Sequence, residues 1–379
     1  MNFSYASLEP VQVTKPGPHA DKSIRTFQGV PGVICHESGR LFATWYGGGE
    51  IECKDNYLML ACSDDDGKTW TDVLVVVDPP HPDVRAFDPV LWIAPDGRVF
   101  WFWAQGCGGN TPNIAKEVFD GLGGVWYSIL ENPTAPADEF KFTESRRICN
   151  GVMMNKPTVL SDGTWALPCS IWTGNYIKHD SLGVKPGAMM VVSTDNGATF
   201  EVRGRIEIDG VEGGPSFDEH FFVEKKDGSL ACYIRICAGV GQSVSTDGGY
   251  TWSKLEVSKE FTAPDTRFYI RRLASGKLLL VTNDSKPKRE KLTAFLSDDE
   301  GKTWKHKLLL DGEMAVSYPD GMEKDGFTYI TYDQNRMAGG FIYLAKFTEA
   351  DIIAGELVTE GSFLKREINH SKPVPPKQA

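Results

Sequence analysis

Short apolar runs recur along the chain in pairs, and each pair is joined by a turn that contains a glycine. The segments that carry the turn and the second run read ESGRLFATW, PDGRVFWFW, SDGTWALPC, KDGSLACYI, ASGKLLLVT and KDGFTYITY. Their turn glycines are Gly39, Gly97, Gly163, Gly228, Gly276 and Gly326, at intervals of 58, 66, 65, 48 and 50 residues. Apolar runs around such a turn are typical of β-hairpins, and repeats of this length are typical of radially arranged sheets. We therefore predict an all-β protein, a six-bladed β-propeller of four-stranded antiparallel blades.

A second motif, S-x-D-x-G-x-T-W/F, occurs four times, at 63–70, 193–200, 245–252 and 297–304. Its aspartates are Asp65, Asp195, Asp247 and Asp299, at intervals of 130, 52 and 52 residues. The long interval predicts one blade whose motif has decayed, near ENPTAPADEF. Asp and Ser accept backbone N–H bonds within such a turn, and Gly supplies a positive φ. We interpret these motifs as structural.

The motif resembles the Asp box of the sialidase (neuraminidase) superfamily, whose members carry BNR repeats, and the resemblance covers nearly the whole chain. In that family the box is a turn at the edge of the blade, far from the catalytic centre. The resemblance thus implies the same propeller fold that the hairpin spacing predicts.

The spacing also predicts the limits of the fold. We expect one propeller domain over residues 1–370 and a disordered tail over 371–379. The innermost strands are predicted to begin near Gly32, Asp88, Lys156, His220, Tyr269 and Ser317. Either the N-terminal stretch or the C-terminal GSFLKREIN is expected to complete the last blade, because an unpaired edge would expose its backbone groups. One short helix is predicted at 348–354, with Thr348 as its N-cap.

Composition and charge exclude several classes of partner. The chain has 40 Lys and Arg against 51 Asp and Glu, and 40 − 51 gives a formal charge of −11. Nucleic acids and anionic membranes need a basic surface, so neither is an expected partner. No run approaches the roughly 18 apolar residues of a membrane span, and the first residues lack the pattern of a signal peptide. We expect a cytoplasmic protein, or a secreted or periplasmic one if a leader has been removed. The eight cysteines form no C-x-x-C pair, so neither a metal nor another cofactor is predicted.

The resemblance implies which residues carry chemistry. Sialidases hold the substrate carboxylate with three arginines and use a tyrosine, activated by a glutamate, as the nucleophile. Glu219 and Arg235 lie at opposite ends of a predicted hairpin, so antiparallel pairing brings them to one end of the blade. They resemble the activating glutamate and the second arginine, Arg289 resembles the third, and Tyr318 the nucleophile. Each assignment has a structural alternative. Glu219 and Arg235 could be a charged pair at a strand end, Arg289 part of a solvated basic loop, and Tyr318 a packed aromatic residue.

The first blade departs from the family pattern. Sialidases have an arginine two residues before a proline, where this chain has Gly29. The nearest arginine is Arg25, which is therefore a candidate for substrate binding. The acid/base residue of the family lies in the loop before the first Asp box, where Glu50, Glu52 and Asp55 are available. We select Glu50, which follows three glycines.

Further candidates stand where inner strands are predicted to begin or end. These additional ligand candidates are Arg267, Arg85, Asp88, Lys156 and His220, and the nearby residues that could line the pocket are Asp320, Tyr332 and Arg336. For His220, a core or surface position competes with a role as a base or sugar ligand.

Three functions fit this pattern. The leading hypothesis is an exo-acting glycoside hydrolase that releases a terminal acidic, sialic-acid-like sugar, with carbohydrate as its partner. The second is a propeller lyase that acts on uronic acids, with a His or Tyr as base. The third is a propeller that binds carbohydrate without catalysis. A lyase product absorbs in the ultraviolet, a hydrolase releases a reducing sugar, and a binding protein does neither.

Overall fold

Six antiparallel sheets make up the computed structural model, which describes residues 5–107, 123–173, 185–286 and 288–372. Blade one contains β1 (Val13–Thr14), β2 (Gln28–Cys35), β3 (Leu41–Gly47), β4 (Tyr57–Ser63) and β5 (Val75–Val77). Blade two contains β6 (Val84–Ile93), β7 (Val99–Cys107), β8 (Gly124–Leu130) and β9 (Arg146–Asn150). Blade three contains β10 (Val152–Met153), β11 (Thr158–Val159), β12 (Trp165–Ile171), β13 (Gly187–Ser193) and β14 (Glu201–Ile206).

The remaining three blades each have four strands in chain order. Blade four contains β15 (Pro215–Glu224), β16 (Leu230–Ile236), β17 (Gly239–Ser245) and β18 (Glu256–Val257). Blade five contains β19 (Tyr269–Arg272), β20 (Leu278–Asn283), β21 (Glu290–Ser297) and β22 (His306–Met314). Blade six contains β23 (Val316–Lys324), β24 (Phe327–Gln334), β25 (Phe341–Thr348) and β26 (Phe363–His370). The prediction of a six-bladed propeller is confirmed.

The six turn glycines lie between the innermost strand and its neighbour in every blade. Their φ values fall between +78° and +87°, a region that residues with a Cβ rarely adopt. The innermost strands of blades one, two and four begin a few residues earlier than predicted. In blade three the innermost strand is interrupted, because Lys156 lies between β10 and β11.

The four repeated motifs occupy the turns before the last strand of blades one, three, four and five. In blade one, Asp65 accepts hydrogen bonds from the backbone and hydroxyl of Thr69 (2.9 and 2.7 Å), and Ser63 Oγ accepts from Gly67 N at 2.9 Å. The corresponding turn of blade two contains ENPTAPADEF and a short 3₁₀ helix, Ala137–Glu139. This is the decayed motif that the 130-residue interval predicted.

Blade six carries the predicted helix in this position. α1 (Glu349–Ala354) begins after Thr348, whose side chain accepts from Asp351 N, while the Asp351 carboxylate accepts from Thr348 N. This reciprocal capping box satisfies donors of the first turn. Gly355, at φ +77°, ends the helix in the left-handed region. Two further 3₁₀ helices are Tyr5–Leu8 and Pro18–Ala20.

The ring closes by contact between blades one and six. β26, the C-terminal candidate, forms the outer edge of blade six, whereas the N-terminal β1 adds a fifth strand to blade one. Asp333 Oδ2 accepts from Val30 N at 2.9 Å, and Asp320 Oδ2 accepts from Val33 N at 3.0 Å. The closure therefore depends on two buried carboxylates of blade six that bind the backbone of β2.

The C-terminal end of the described chain is bound to the propeller. Ser371 Oγ donates to Thr26 O, and Lys372 N donates to Arg25 O. Residues 373–379 of the predicted tail lie outside the described residues. Among the residues described, none of the helices has the length and apolarity that a membrane crossing needs.

Candidate functional site

Bulges interrupt the innermost strands near the propeller axis. The registers of β2, β6, β15 and β23 shift between Gly29 and Gly32, Phe87 and Val90, Pro215 and His220, and Ser317 and Asp320. One residue in each bulge has a φ between +51° and +57°, namely Val30, Asp88, Asp218 and Tyr318. A left-handed conformation is costly for such residues, and bulges change the direction in which side chains point. Repeated strain at one level of the propeller marks this level as a candidate site.

A cavity of 260 Å³ opens at this level, and all six blades contribute to its lining. Its charged side chains are Glu52, Arg85, Asp88, Glu219, Arg235, Arg289 and Arg336. Four arginines and three carboxylates give 4 − 3 = +1, although the whole chain is acidic. The cavity is thus suited to an anionic ligand.

Tyr318, Glu219 and Arg235 form a hydrogen-bonded group in the cavity wall. Tyr318 Oη donates to Glu219 Oε1 at 3.3 Å, and Arg235 Nη1 donates to the same carboxylate oxygen at 2.7 Å and to Tyr318 Oη at 2.9 Å. All three residues are buried. Glu219 Oε2 has no hydrogen-bond partner among the described residues, so this carboxylate retains acceptor capacity. The contact between the phenol and the carboxylate is the proximity that the sequence predicted.

Arg235 and Arg289 converge on one backbone carbonyl. The Nη2 atoms of both residues donate to Asp265 O, at 3.2 and 3.0 Å. Arg235 Nε also donates to Asp265 Oδ1 at 2.6 Å. Burial alone would lower the pKa of Arg235, but Glu219, Tyr318 and Asp265 raise it above its usual value, so the group stays cationic.

Glu52 and Arg336 face Tyr318 from blades one and six. Arg336 Nη1 lies 3.4 Å from Glu52 Oε1, and its guanidinium lies 4.4 Å from the centroid of the Tyr318 ring. Burial would raise the pKa of Glu52, but Arg336 and Arg85 lower it below its usual value. In the ligand-free cavity Glu52 is therefore ionised at neutral pH.

Asp88 behaves differently from Glu52. Burial raises its pKa from 3.8 to about 7, although the neighbouring Arg85 opposes this effect. Arg85 itself stacks on Phe87, with 3.8 Å between guanidinium and ring centroid, and donates to Asn56 Oδ1 at 3.1 Å. Two carboxylic acids with pKa values shifted in opposite directions thus line one cavity, a pattern that suits division into acid and base roles.

Two predicted residues, Glu50 and Arg25, lie outside the cavity. Glu50 is exposed and lines a separate surface groove together with Arg25. Gly48 and Gly49, at φ +99° and +69°, direct the loop so that Glu52 enters the cavity instead. Arg25 donates to Ala20 O, to Gln28 Oε1 at 3.1 Å and to Asn369 Oδ1 at 2.8 Å. Its guanidinium is occupied in joining the two terminal regions of the chain.

Three more candidates are buried beside the cavity without lining it. Arg267 donates to the carbonyls of Met154, Pro31 and Tyr318 at 2.8 to 3.1 Å and so joins four blades at the axis. Lys156 forms a buried ion pair with Asp320, and burial lowers the pKa of this lysine to about 8.

The ring nitrogens of His220 lie 3.0 Å from Asp218 O and from Met189 O. Burial lowers its pKa to about 4. These contacts hold His220 in the core.

Some cavity residues did not emerge as leading candidates from the sequence. Glu52 and Arg336 are secondary candidates in the sequence, and the aromatic wall residues Trp172 and Phe217 carry no sequence signal for a site. Tyr332, a secondary candidate, donates to Asp311 Oδ2 at 3.1 Å in a buried position. Within the described ranges, no group of three or more His, Cys, Asp or Glu side chains is arranged to hold a metal ion.

Comparison with known proteins agrees with this architecture. The profile of the BNR repeat-like domain matches residues 39–330. A sialidase of Micromonospora viridifaciens is 30% identical over 151 residues, which cover 35% of this chain but only 22% of that sialidase.

Solved structures share the fold at low sequence identity. The intramolecular trans-sialidase of Ruminococcus gnavus, solved with oseltamivir carboxylate, has a TM-score of 0.63 at 15% identity and covers 89% of this chain and 97% of that one. The leech intramolecular trans-sialidase has a TM-score of 0.64 at 14% identity and covers 91% and 71%. A protein of unknown function from Dyadobacter fermentans has a TM-score of 0.60 at 16% identity and covers 86% and 94%. The fold of this chain is that of sialidases.

Proposed function

The chain belongs to the family of proteins with a BNR repeat-like domain, and we propose that it is an exo-acting glycoside hydrolase that releases a terminal acidic sugar. The observation that carries this proposal is the group of Tyr318, Glu219 and Arg235, hydrogen-bonded together in a cavity with an excess of guanidinium groups. The relatives with known names are a sialidase and trans-sialidases. They favour a sialic-acid-like sugar as the substrate.

The proposed reaction proceeds in two displacements with retention of configuration. Tyr318 Oη bonds to the anomeric carbon while Glu219 takes the phenol proton, and the glycosidic bond breaks as its oxygen takes a proton from Glu52. Water then attacks the anomeric carbon, Glu52 accepts the water proton, and the phenolate leaves and recovers its proton from Glu219. A neutral phenol avoids the repulsion that a carboxylate nucleophile would meet from an anionic sugar.

Glu52 replaces Glu50 in this scheme because it is the carboxylate of the loop that lines the cavity. Its pKa is low while Arg336 and Arg85 are free of ligand. A substrate carboxylate near these guanidinium groups would partly neutralise them, and the pKa of Glu52 would rise toward the range that a general acid needs.

The lyase and binding alternatives make different demands on the cavity. His220 is buried against two backbone carbonyls, so a lyase would need Tyr318 as its base. A protein that only binds sugar would need none of the contacts between Tyr318 and Glu219.

A release assay over sialosides, uronosides and deoxy-ulosonosides with one chromogenic leaving group tests the proposal. We expect release from at least one of them, and we expect Tyr318→Phe to lose it by a factor of about 10² to 10⁴. Tyr250→Phe, at an exposed peripheral tyrosine, is the matched control and should behave like the parent. An unsaturated product absorbing in the ultraviolet would establish the lyase instead, and the absence of any product would overturn catalysis.

A further inference from the structure

The side chain of Arg336 reaches the cavity by passing over Gly29, the position at which the family resemblance predicts an arginine. Arg336 follows β24 in a turn of blade six, and its side chain passes directly over Gly29 of blade one. A Cβ at position 29 would lie 2.9 Å from both Cβ and Cδ of Arg336 and 2.8 Å from Asp333 Oδ2. These distances are shorter than Cβ contacts allow, so the path of Arg336 requires glycine at position 29.

The guanidinium that arrives by this path has unused donor capacity. Among the described residues, Arg336 Nη1 has no hydrogen-bond partner, although its side chain is only 14% exposed. Glu52 lies at ion-pair distance from Nη1, and the Tyr318 ring lies below the guanidinium. Nη1 is thus ion-paired with Glu52 but makes no hydrogen bond to a described residue, and a buried donor without a hydrogen bond favours a ligand that can accept one.

Arg235 is more fully engaged than the other arginines of the cavity. Arg235 already donates four hydrogen bonds, to Glu219, Tyr318 and two oxygens of Asp265, out of the five N–H donors of a guanidinium. Arg289 donates to Asp265 O. In the part of the chain that the structure describes, a ligand carboxylate with two oxygens therefore finds free N–H donors on Arg336 and Arg289, whereas Arg235 has little donor capacity left.

We propose that Arg336 is the third guanidinium of the carboxylate clamp, and that Gly29 marks the loss of one arginine and the entry of another from the opposite side of the ring closure. This inference rests on the proposed acidic-sugar ligand. The clamp of this chain then consists of Arg235, Arg289 and Arg336, from blades four, five and six. Blade one contributes no arginine to it, only the glycine over which Arg336 passes.

Binding can be tested without turnover in the Tyr318→Phe background. The probes are N-acetylneuraminic acid, glucuronic acid and 3-deoxy-octulosonic acid, each with its methyl ester, titrated by calorimetry. We expect at least one acid to bind better than its ester. Arg336→Ala should weaken the acid about 10- to 100-fold and change ester binding little. Arg336→Lys should recover only part of the loss, because an ammonium lacks the planar fork. Arg98→Ala, on a peripheral turn, is the control.

The link to Gly29 is tested by a double-mutant cycle. Gly29→Ala should weaken the acid while Arg336 is present, and should weaken it less once Arg336→Gly has removed both Arg336 atoms that the new Cβ would meet. If Gly29→Ala does not fold, the Arg336 variants decide alone. Parent-like acid binding by Arg336→Ala, additive effects in the cycle, or no binding of any acid at millimolar concentration would each overturn the inference. A parent protein that binds an acid through Arg336 yet releases no sugar would retain the clamp and overturn only the hydrolase.

Discussion

The peripheral turns and the axial cavity lie at opposite ends of the same blades, yet their residues obey different constraints. In the turns, Asp65, Asp195, Asp247 and Asp299 accept the same hydrogen bonds from Ser and Thr. At the bulges, by contrast, the corresponding positions of blades one, two, four and six carry different residues, namely Val30, Asp88, Asp218 and Tyr318. Among the described residues, buried donors or acceptors on Arg85, Glu219 and Arg336 have no hydrogen-bond partner.

The difference shows which part of a repeat is fixed by folding. Each peripheral turn must close a hairpin, and one set of local hydrogen bonds does so in the four blades that carry the motif. The residues that line the cavity differ from blade to blade, as a ligand with different groups on each side would require. Substitutions in the cavity should therefore affect activity most, those at the axial ion pair should affect stability, and those in the turns should affect either one least.

The largest effect is expected in the cavity, at Glu219. Glu219→Gln keeps the shape of the side chain but cannot accept the phenol proton, so turnover should fall about 10²- to 10⁴-fold while far-ultraviolet circular dichroism is unchanged. Glu224→Gln, on the same strand but bound to Ser161 at the surface, should retain parent turnover. If both variants lost turnover equally, Glu219 would have no special role in the cavity compared with Glu224 at the surface.

The accuracy of the sequence-based predictions also differs between the peripheral turns and the cavity. The hairpin glycines, the repeated motif and the Thr348 cap are local signals with local structural causes, and each led to a correct element. The predicted placement of Glu219, Arg235, Arg289 and Tyr318 in one cavity came from family resemblance combined with strand pairing. Their catalytic and binding roles stay predictions.

The remaining site residues depend on geometry that the sequence does not encode locally. Glu50 and Glu52 are two positions apart, and the left-handed glycines before them decide which one enters the cavity. Arg267 and Lys156 have the same sequence signal as a ligand arginine, because each is a charged residue at an inner strand. In the structure, however, Arg267 binds backbone carbonyls and Lys156 pairs with a buried carboxylate. The path of Arg336 over Gly29 leaves no space for a larger side chain at that position, and this long-range contact has no local sequence signal.

The next largest effect is expected at the buried pair of Lys156 and Asp320. Lys156→Met leaves the Asp320 carboxylate buried without its cation, and the free energy of unfolding should fall by about 3–5 kcal/mol. The double variant Lys156→Met/Asp320→Asn removes both charges and should recover much of that loss in urea denaturation. A single variant as stable as the parent would show that this axial pair does not hold the blades together.

The pH dependence of stability should reveal Asp88. Its folded pKa of about 7 exceeds the 3.8 of the free group, so the folded state binds this proton more tightly. The resulting stabilisation is complete below pH 3.8 and is lost as the pH rises to 7. Relative to the parent, Asp88→Asn should therefore gain about 3 kcal/mol in unfolding free energy between pH 5 and pH 8. Asp83→Asn, before the same strand, should show no such gain, and identical curves for all three proteins would exclude a buried, titrating Asp88.

The smallest effect is expected in a peripheral turn. Asp299→Ala removes the acceptor of the Ser297 hydroxyl and of the Thr303 backbone and hydroxyl, but water can replace it because the turn is exposed. We expect the Tm to fall by no more than about 2 °C and sugar release to be unchanged, with Asp298→Ala as the neighbouring control.

The Thr303 hydroxyl and other local donors lower the pKa of Asp299 to about 2. The difference in Tm should therefore be fully present above pH 3.8 and fade as the pH falls toward 2. A loss of activity in Asp299→Ala with an unchanged Tm would mean that the turns influence the cavity, and the separation of the two regions would then be wrong.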